Sequence, residues 1–175
     1  MLRRRLGPIL LAAIGAILIA GAAGWLAFST WLANPGEVAV PQAMAGLPLT
    51  QKSVGPEAVA EVTQLHGKEF PLISGAMATY GEGAVVLWVS GAPASPIAAE
   101  MVRAMTDKIA DAAAGSARSP FTPLGERQIN GRAVYELSGM GQRHFYFQSS
   151  ALVIWLATDE TIAQNALDET LQFYP

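Results

Sequence analysis

The side chains with chemistry to offer are few. Two histidines, His66 and His144, stand far apart, and neither has a second ligand or a catalytic partner at helical or strand spacing. Each therefore reads as a surface or half-buried imidazole. Asp107 and Asp111 are one helical turn apart and could both meet a cation, but two carboxylates on a helix ordinarily form a solvated face. Asp159-Glu160 and Asp168-Glu169 read the same way. The chain has no cysteine, which excludes disulfides, thiolate metal sites and thiol nucleophiles. It has no nucleophile elbow, no P-loop, and no G-x-G-x-x-G opening a helix after a strand. Gly139-Met140-Gly141 reads as a hairpin tip. No catalytic residue, metal ligand or cofactor site is expected.

One arrangement suggests binding instead. Asn130-Gly131 is a strong two-residue hairpin signal, because a type I′ turn needs positive φ at both positions. Strands over 132–137, 142–148 and 151–157 follow, with Ser138-Gly139-Met140-Gly141 as a loop and Ser149-Ser150 as a turn. If Leu137 opposes Gln142, Glu136 faces Arg143 as an opposite-charge pair. Tyr135, His144 and Trp155 then fall side by side, with Ala133, Tyr146 and Val153 in the next row. The other face carries Val134, Phe145 and Ile154, then Phe147 and Leu152. Half-polar aromatic surface suits docking on another protein, which makes Tyr135, His144, Tyr146 and Trp155 docking-face candidates. Two alternatives stay open. Helices could cover this face while the linker or an extra strand meets the other, or a ligand pocket could lie between helices and sheet.

The remaining elements follow from periodicity. Pro56 and Glu57 suit a helix start, Val59, Val62 and His66 share a face, and Gly67 is a stop. Residues 73–80 and 84–90 form a hairpin around Gly81-Glu82-Gly83. The run 84–89 is apolar on both faces and belongs inside a sheet. Ser95-Pro96 opens a helix with Ile97, Met101, Ala104, Met105 and Ile109 as its buried stripe, ended by Gly115-Ser116. Asp159-Glu160 starts a last helix with Ile162, Ala163, Ala166, Leu167 and Leu171 facing inward. The order α-β-β-α-β-β-β-β-α, with tight turns between strands, predicts an α+β domain: a mainly antiparallel sheet with about three helices.

The first third of the chain differs. Residues 6–32 are 27 residues without a charge, long enough to cross a ~30 Å hydrocarbon core as a helix. Arg3, Arg4 and Arg5 precede the run and no acid occurs before Glu37, so the positive-inside rule keeps the N-terminus cytoplasmic and sends the rest across. Trp25, Phe28 and Trp31 suit the far interface. A cleavable signal ending near Ala20-Gly21-Ala22 is the rival, weakened because the apolar run continues past it. Ala12, Ala16, Ala20 and Gly24 recur every four residues, a ribbon that would let another membrane helix approach closely. The division expected is a basic stub over 1–5, a transmembrane helix over 6–32, a proline-containing linker over 33–53, and an extracytoplasmic domain over 54–175. Ala43-Met44-Ala45-Gly46-Leu47 is apolar for a free tether, so part of the linker could pack on the domain.

Charge narrows the partners. The N-terminal arginines are three of eleven basic residues, which leaves eight against fourteen acidic ones from Pro35 onward, a net of −6. Such a domain is a poor partner for nucleic acid. Membrane lipid and other transmembrane subunits are the expected partners. The expected function is a non-catalytic, single-pass accessory or interaction subunit of a larger membrane complex, with an anchored ligand-binding or sensing domain as the alternative. A tethered hydrolase using carboxylates ranks last.

Overall fold

A computed structural model describes residues 3–66, 70–113 and 120–175. The expected helix stops at Gly67 and at Gly115-Ser116 lie outside these residues, as do Met1, Leu2 and the side chains of Arg3 to Arg5 and His66. The chain forms two compact units, residues 1–34 and 35–175.

The first unit is one helix, α1 (Arg3–Ala33), with Pro8 in its N-terminal part. Over Gly7–Ala33 its mean hydropathy is 2.3, so it is long and apolar enough to cross a membrane. Its few polar groups bond back along the helix. The Ser29 and Thr30 hydroxyls donate to the Leu26 carbonyl at 3.0 and 2.8 Å, and Asn34 Nδ2 donates to Thr30 at 2.8 Å. That satisfies them without water, as a lipid setting demands. Trp25, Phe28 and Trp31 form a ladder with centroids 6.2 and 6.3 Å apart.

The second unit contains β1 (Gly36–Glu37), β2 (Ala43–Met44), β3 (Leu47–Val54), α2 (Pro56–His66), β4 (Ser74–Tyr80), β5 (Val85–Gly91), α3 (Ser95–Ala113), β6 (Phe121–Ile129), β7 (Arg132–Gly139), β8 (Gln142–Ser149), β9 (Leu152–Thr158) and α4 (Ala163–Phe173). The strands make one sheet in the order β2-β3-β4-β5-β9-β8-β7-β6, antiparallel throughout except where β1 pairs in parallel with the start of β4. From α2 onward the element order is the predicted one, and the domain is α+β.

The stretch 33–53 is more than a linker, and the apolar Ala43–Leu47 part does pack on the domain. It carries three strands, and Val40 and Met44 are buried in the core. Pro41 and Pro48 do forbid helix, but Pro48 sits where edge pairing tolerates a missing N–H. The extended chain that prolines enforce can therefore add to a sheet. Ala45 (φ 52°) and Gly46 (φ 77°) turn it back between β2 and β3. Three hydrogen bonds then pin the segment to β4 and to α4 and its C-cap. Tyr80 Oη donates to the Pro41 carbonyl at 2.9 Å, Tyr174 Oη to that of Ala39 at 2.7 Å, and the Ala45 amide to Glu169 Oε2 at 2.8 Å. Burial pushes the Tyr80 hydroxyl up to about 12.

Both faces of the sheet are covered. On one, Val134, Phe145, Phe147, Ile154, Leu156, Val85 and Leu87 pack with Ala163, Ala166, Leu167 and Leu171 of α4 and with Val40 and Met44. On the other, Leu137, Tyr146 and Val153 pack with Val62 of α2 and Ala98, Met101 and Val102 of α3. Each fully buried Leu, Ile or Phe contributes about 1.5–3 kcal/mol relative to exposure. Gly75 lets α2 sit close on β4, since a Cβ there would come within 2.9 Å of Val59 Cγ2.

Candidate functional site

The four aromatic candidates do share one face, but their rows differ from those expected. β7 and β8 are joined by a two-residue turn, Met140 (φ 52°) and Gly141 (φ 80°), so Gly139 opposes Gln142. The expected register opposed Leu137 to Gln142. The shift is two residues, which keeps every side chain on its face and changes every neighbour. The physical reason is that Met140 accepts a left-handed conformation, which its side chain does not advertise. Glu136 and Arg143 still pair, diagonally across the strands rather than directly opposite.

The row that results runs from Tyr135 on β7 through Tyr146 on β8 and Trp155 on β9 to Trp88 on β5. The first three rings lie nearly parallel, with centroids 4.7 and 5.4 Å apart and tilts of 11° and 10°. Trp88 joins only through the β5–β9 pairing, which no local pattern signals. His144 belongs to the neighbouring row, between Leu137 and Ala157.

The middle of this surface is closed to solvent, while Tyr135 and Trp155 are half-buried. Tyr146 and His144 are only 1% and 3% exposed; α3 packs on β8 and β9, with Tyr146 in the second core, and Phe121 lies against His144. Of the four docking candidates, His144 and Tyr146 are thereby closed to a partner, whereas Tyr135 and Trp155 stay half-buried; residues 38–49 help to cover the other face. Tyr146, His144 and Trp155 are tolerated there because their polar tips find partners, whereas the buried Trp88 Nε1 has none. Thr106 Oγ1 donates to the Val102 carbonyl at 2.9 Å and lies 3.0 Å from Tyr146 Oη, so the phenol donates to the threonine. Burial raises the Tyr146 hydroxyl above its ordinary range, and burial followed by the Glu126 carboxylate does the same for Tyr135.

His144 is fixed most tightly. Its Nε2 lies 3.0 Å from the Gly139 carbonyl, which can only accept, so Nε2 carries the hydrogen. Trp155 Nε1–H donates to Nδ1 at 3.2 Å, so Nδ1 carries none. The imidazole is neutral in one tautomer. Burial lowers its pKa below the ordinary histidine value, against a smaller upward pull from the Gly139 bond.

One cleft opens beside the stack. Its volume is about 510 Å³, and Val102, Arg103 and Thr106 of α3 face Ala133, Tyr135 and Gln148 across it. Its polar groups are already engaged. Arg103 pairs with Glu100 and Asp107, which also explains why Asp107 acts as a surface ion-pair member. Gln148 Nε2 donates to the Ser95 and Ser150 carbonyls at 3.0 and 2.7 Å. Arg132, at the rim, donates to the Leu171 and Tyr174 carbonyls and caps the C-terminal end of α4. Among the described residues no three His, Asp or Glu side chains gather closely enough to hold a metal.

On α1 the positions Ala12, Ala16, Ala20 and Gly24 are exposed, and a Cβ added at Gly24 would meet nothing within 4 Å. The chain matches no known family model, and neither characterised proteins nor solved structures give a significant match.

Proposed function

We propose that this chain is a single-pass membrane protein whose acidic α+β domain lies outside the cytoplasm, and that it serves without chemistry of its own as an accessory or interaction subunit of a larger membrane complex. The observation that carries this reading is α1. Its 27-residue span Gly7–Ala33, of mean hydropathy 2.3, has no use for water, and it belongs to a compact unit of its own, residues 1–34. Arg3, Arg4 and Arg5 at its start favour a cytoplasmic N-terminus. Its Ala12-Ala16-Ala20-Gly24 ribbon suits close packing on other transmembrane subunits, because association in lipid depends on backbone approach rather than on a hydrophobic drive. With the middle of the aromatic face spent on the domain's own core, the span becomes the main surface for such contacts.

The test is purification from membranes in mild detergent, with N-terminal sequencing and identification of co-purifying proteins. The reading expects an intact N-terminus and a stoichiometric membrane partner that A16I/G24I loses. A mature chain beginning near residue 23, or a lone monomer, overturns it. The anchored ligand-binding alternative draws on the cleft beside Tyr135. It stands second because that cleft is open and its polar groups already have partners within the chain.

A further inference from the structure

β6 is an edge strand whose residues 122–128 are exposed; it pairs with β7, and Arg127 ties its far half to Glu136 on β7 and to Gln164 on α4. Its first residue is an exception. The Phe121 ring packs edge-on against His144 at 4.9 Å and against Trp155 at 5.3 Å between centroids. Those two rings are in turn locked by the bond from Trp155 Nε1 to His144 Nδ1. An imidazolium has hydrogens on both nitrogens and cannot accept that bond. Two N–H groups would instead point at each other inside the core.

We propose that His144 is a pH-sensitive latch: a proton taken up at Nδ1 breaks the bond from Trp155 and frees the Phe121 end of β6. The proton comes from solvent and no other bond is made or broken. Among the described residues, those shown against the imidazole are uncharged. β7 presents Leu137, β9 presents Ala157 and Trp155, and β6 presents Phe121. Glu136 and Arg143 lie on the opposite face, in the ion-pair network with Arg127 and Glu160. Glu126 lies in the row of Tyr135, on the far side of β7 from β8. On α3, Arg103, Asp107, Lys108 and Asp111 occupy exposed positions. Burial depresses the folded pKa, so the unfolded or opened state takes the proton first. The latch is therefore fully closed above the ordinary histidine value of about 6.5 and weakens as pH falls from there toward the lowered folded value.

The experiment is site-resolved hydrogen exchange on the full chain in detergent micelles between pH 7.5 and 5. After correction for intrinsic chemistry, opening of the β6 amides rises by up to about tenfold per pH unit below about 6.5, as one-proton linkage requires. Amides at the centre of β8 and β9 rise less. His144→Gln, which cannot charge, flattens the β6 profile. The Trp155 indole N–H resonance in the wild-type chain is a second readout that needs no variant, and it moves as pH is taken on down to the lowered folded value of His144. A β6 profile independent of pH, a profile unchanged in His144→Gln, an indole resonance that stays put, or equal acceleration of β6 and the core strands would each overturn the latch.

Discussion

Met44 lies in the apolar run of the proline-containing linker, and its side chain is completely buried. It packs with the α4 cluster, and Thr170 Oγ1 lies 3.4 Å from its sulfur. Replacing it by alanine removes three heavy atoms of side chain from a site closed on all sides. Such truncations cost about 2–5 kcal/mol, the transfer loss plus the cavity left behind. The Thr170 hydroxyl keeps its bond to the Ala166 carbonyl at 2.7 Å, so no polar group is orphaned and the cost stays near the middle of that range, about 3 kcal/mol. Against a total stability of order 5–15 kcal/mol this is a large fraction. It corresponds to a Tm drop of roughly 6–12 °C for a domain of this size. Urea denaturation of the full chain in micelles, followed by near-ultraviolet circular dichroism, measures it. Gln42→Ala, two residues earlier and exposed, is the control and changes little. A Met44→Ala cost below about 0.5 kcal/mol would refute the reasoning, because only a residue outside the core loses so little.

Three further substitutions probe other parts of the domain. Gly139→Ala places a Cβ against the Pro120 carbonyl and within 2.7 Å of Phe121 Cδ1, so it should destabilise by about 1–3 kcal/mol in the same urea assay. Arg132→Ala uncaps two carbonyls at the end of α4 and removes the guanidinium over Phe147, and should cost about 1–2 kcal/mol while speeding exchange of the last α4 amides. Glu136→Gln disconnects Arg127 and Arg143, and its cost, about 1 kcal/mol, should shrink as salt is raised from 0.05 to 0.5 M, as roughly expected for a partly exposed network.

Much of the order of elements was readable because it rests on local physics. The interior strand β5 is apolar on both faces, α3 repeats its apolar residues at helical spacing, and Asn130-Gly131 forms the turn its φ values (53° and 77°) require. The candidate site was legible only as far as the sheet face. Alternation puts Tyr135, His144, Tyr146 and Trp155 on one side whatever the register, provided it shifts by even steps. Which ring stacks on which depended on Met140 and Ser150 (φ 53°) adopting left-handed turns, a choice those side chains do not encode strongly.

The sequence alone determined that the chain has an apolar helix followed by an acidic α+β domain, because length without charge and periodic apolar residues act through water and lipid at short range. Tertiary structure alone decided that residues 36–54 join the sheet, that α3 covers the middle of the aromatic face, and that Phe121, His144 and Trp155 meet. Those outcomes depend on contacts between residues far apart in the chain. Their free energy comes from which surfaces remain uncovered once the neighbouring strands have paired, and no local window of sequence contains that information.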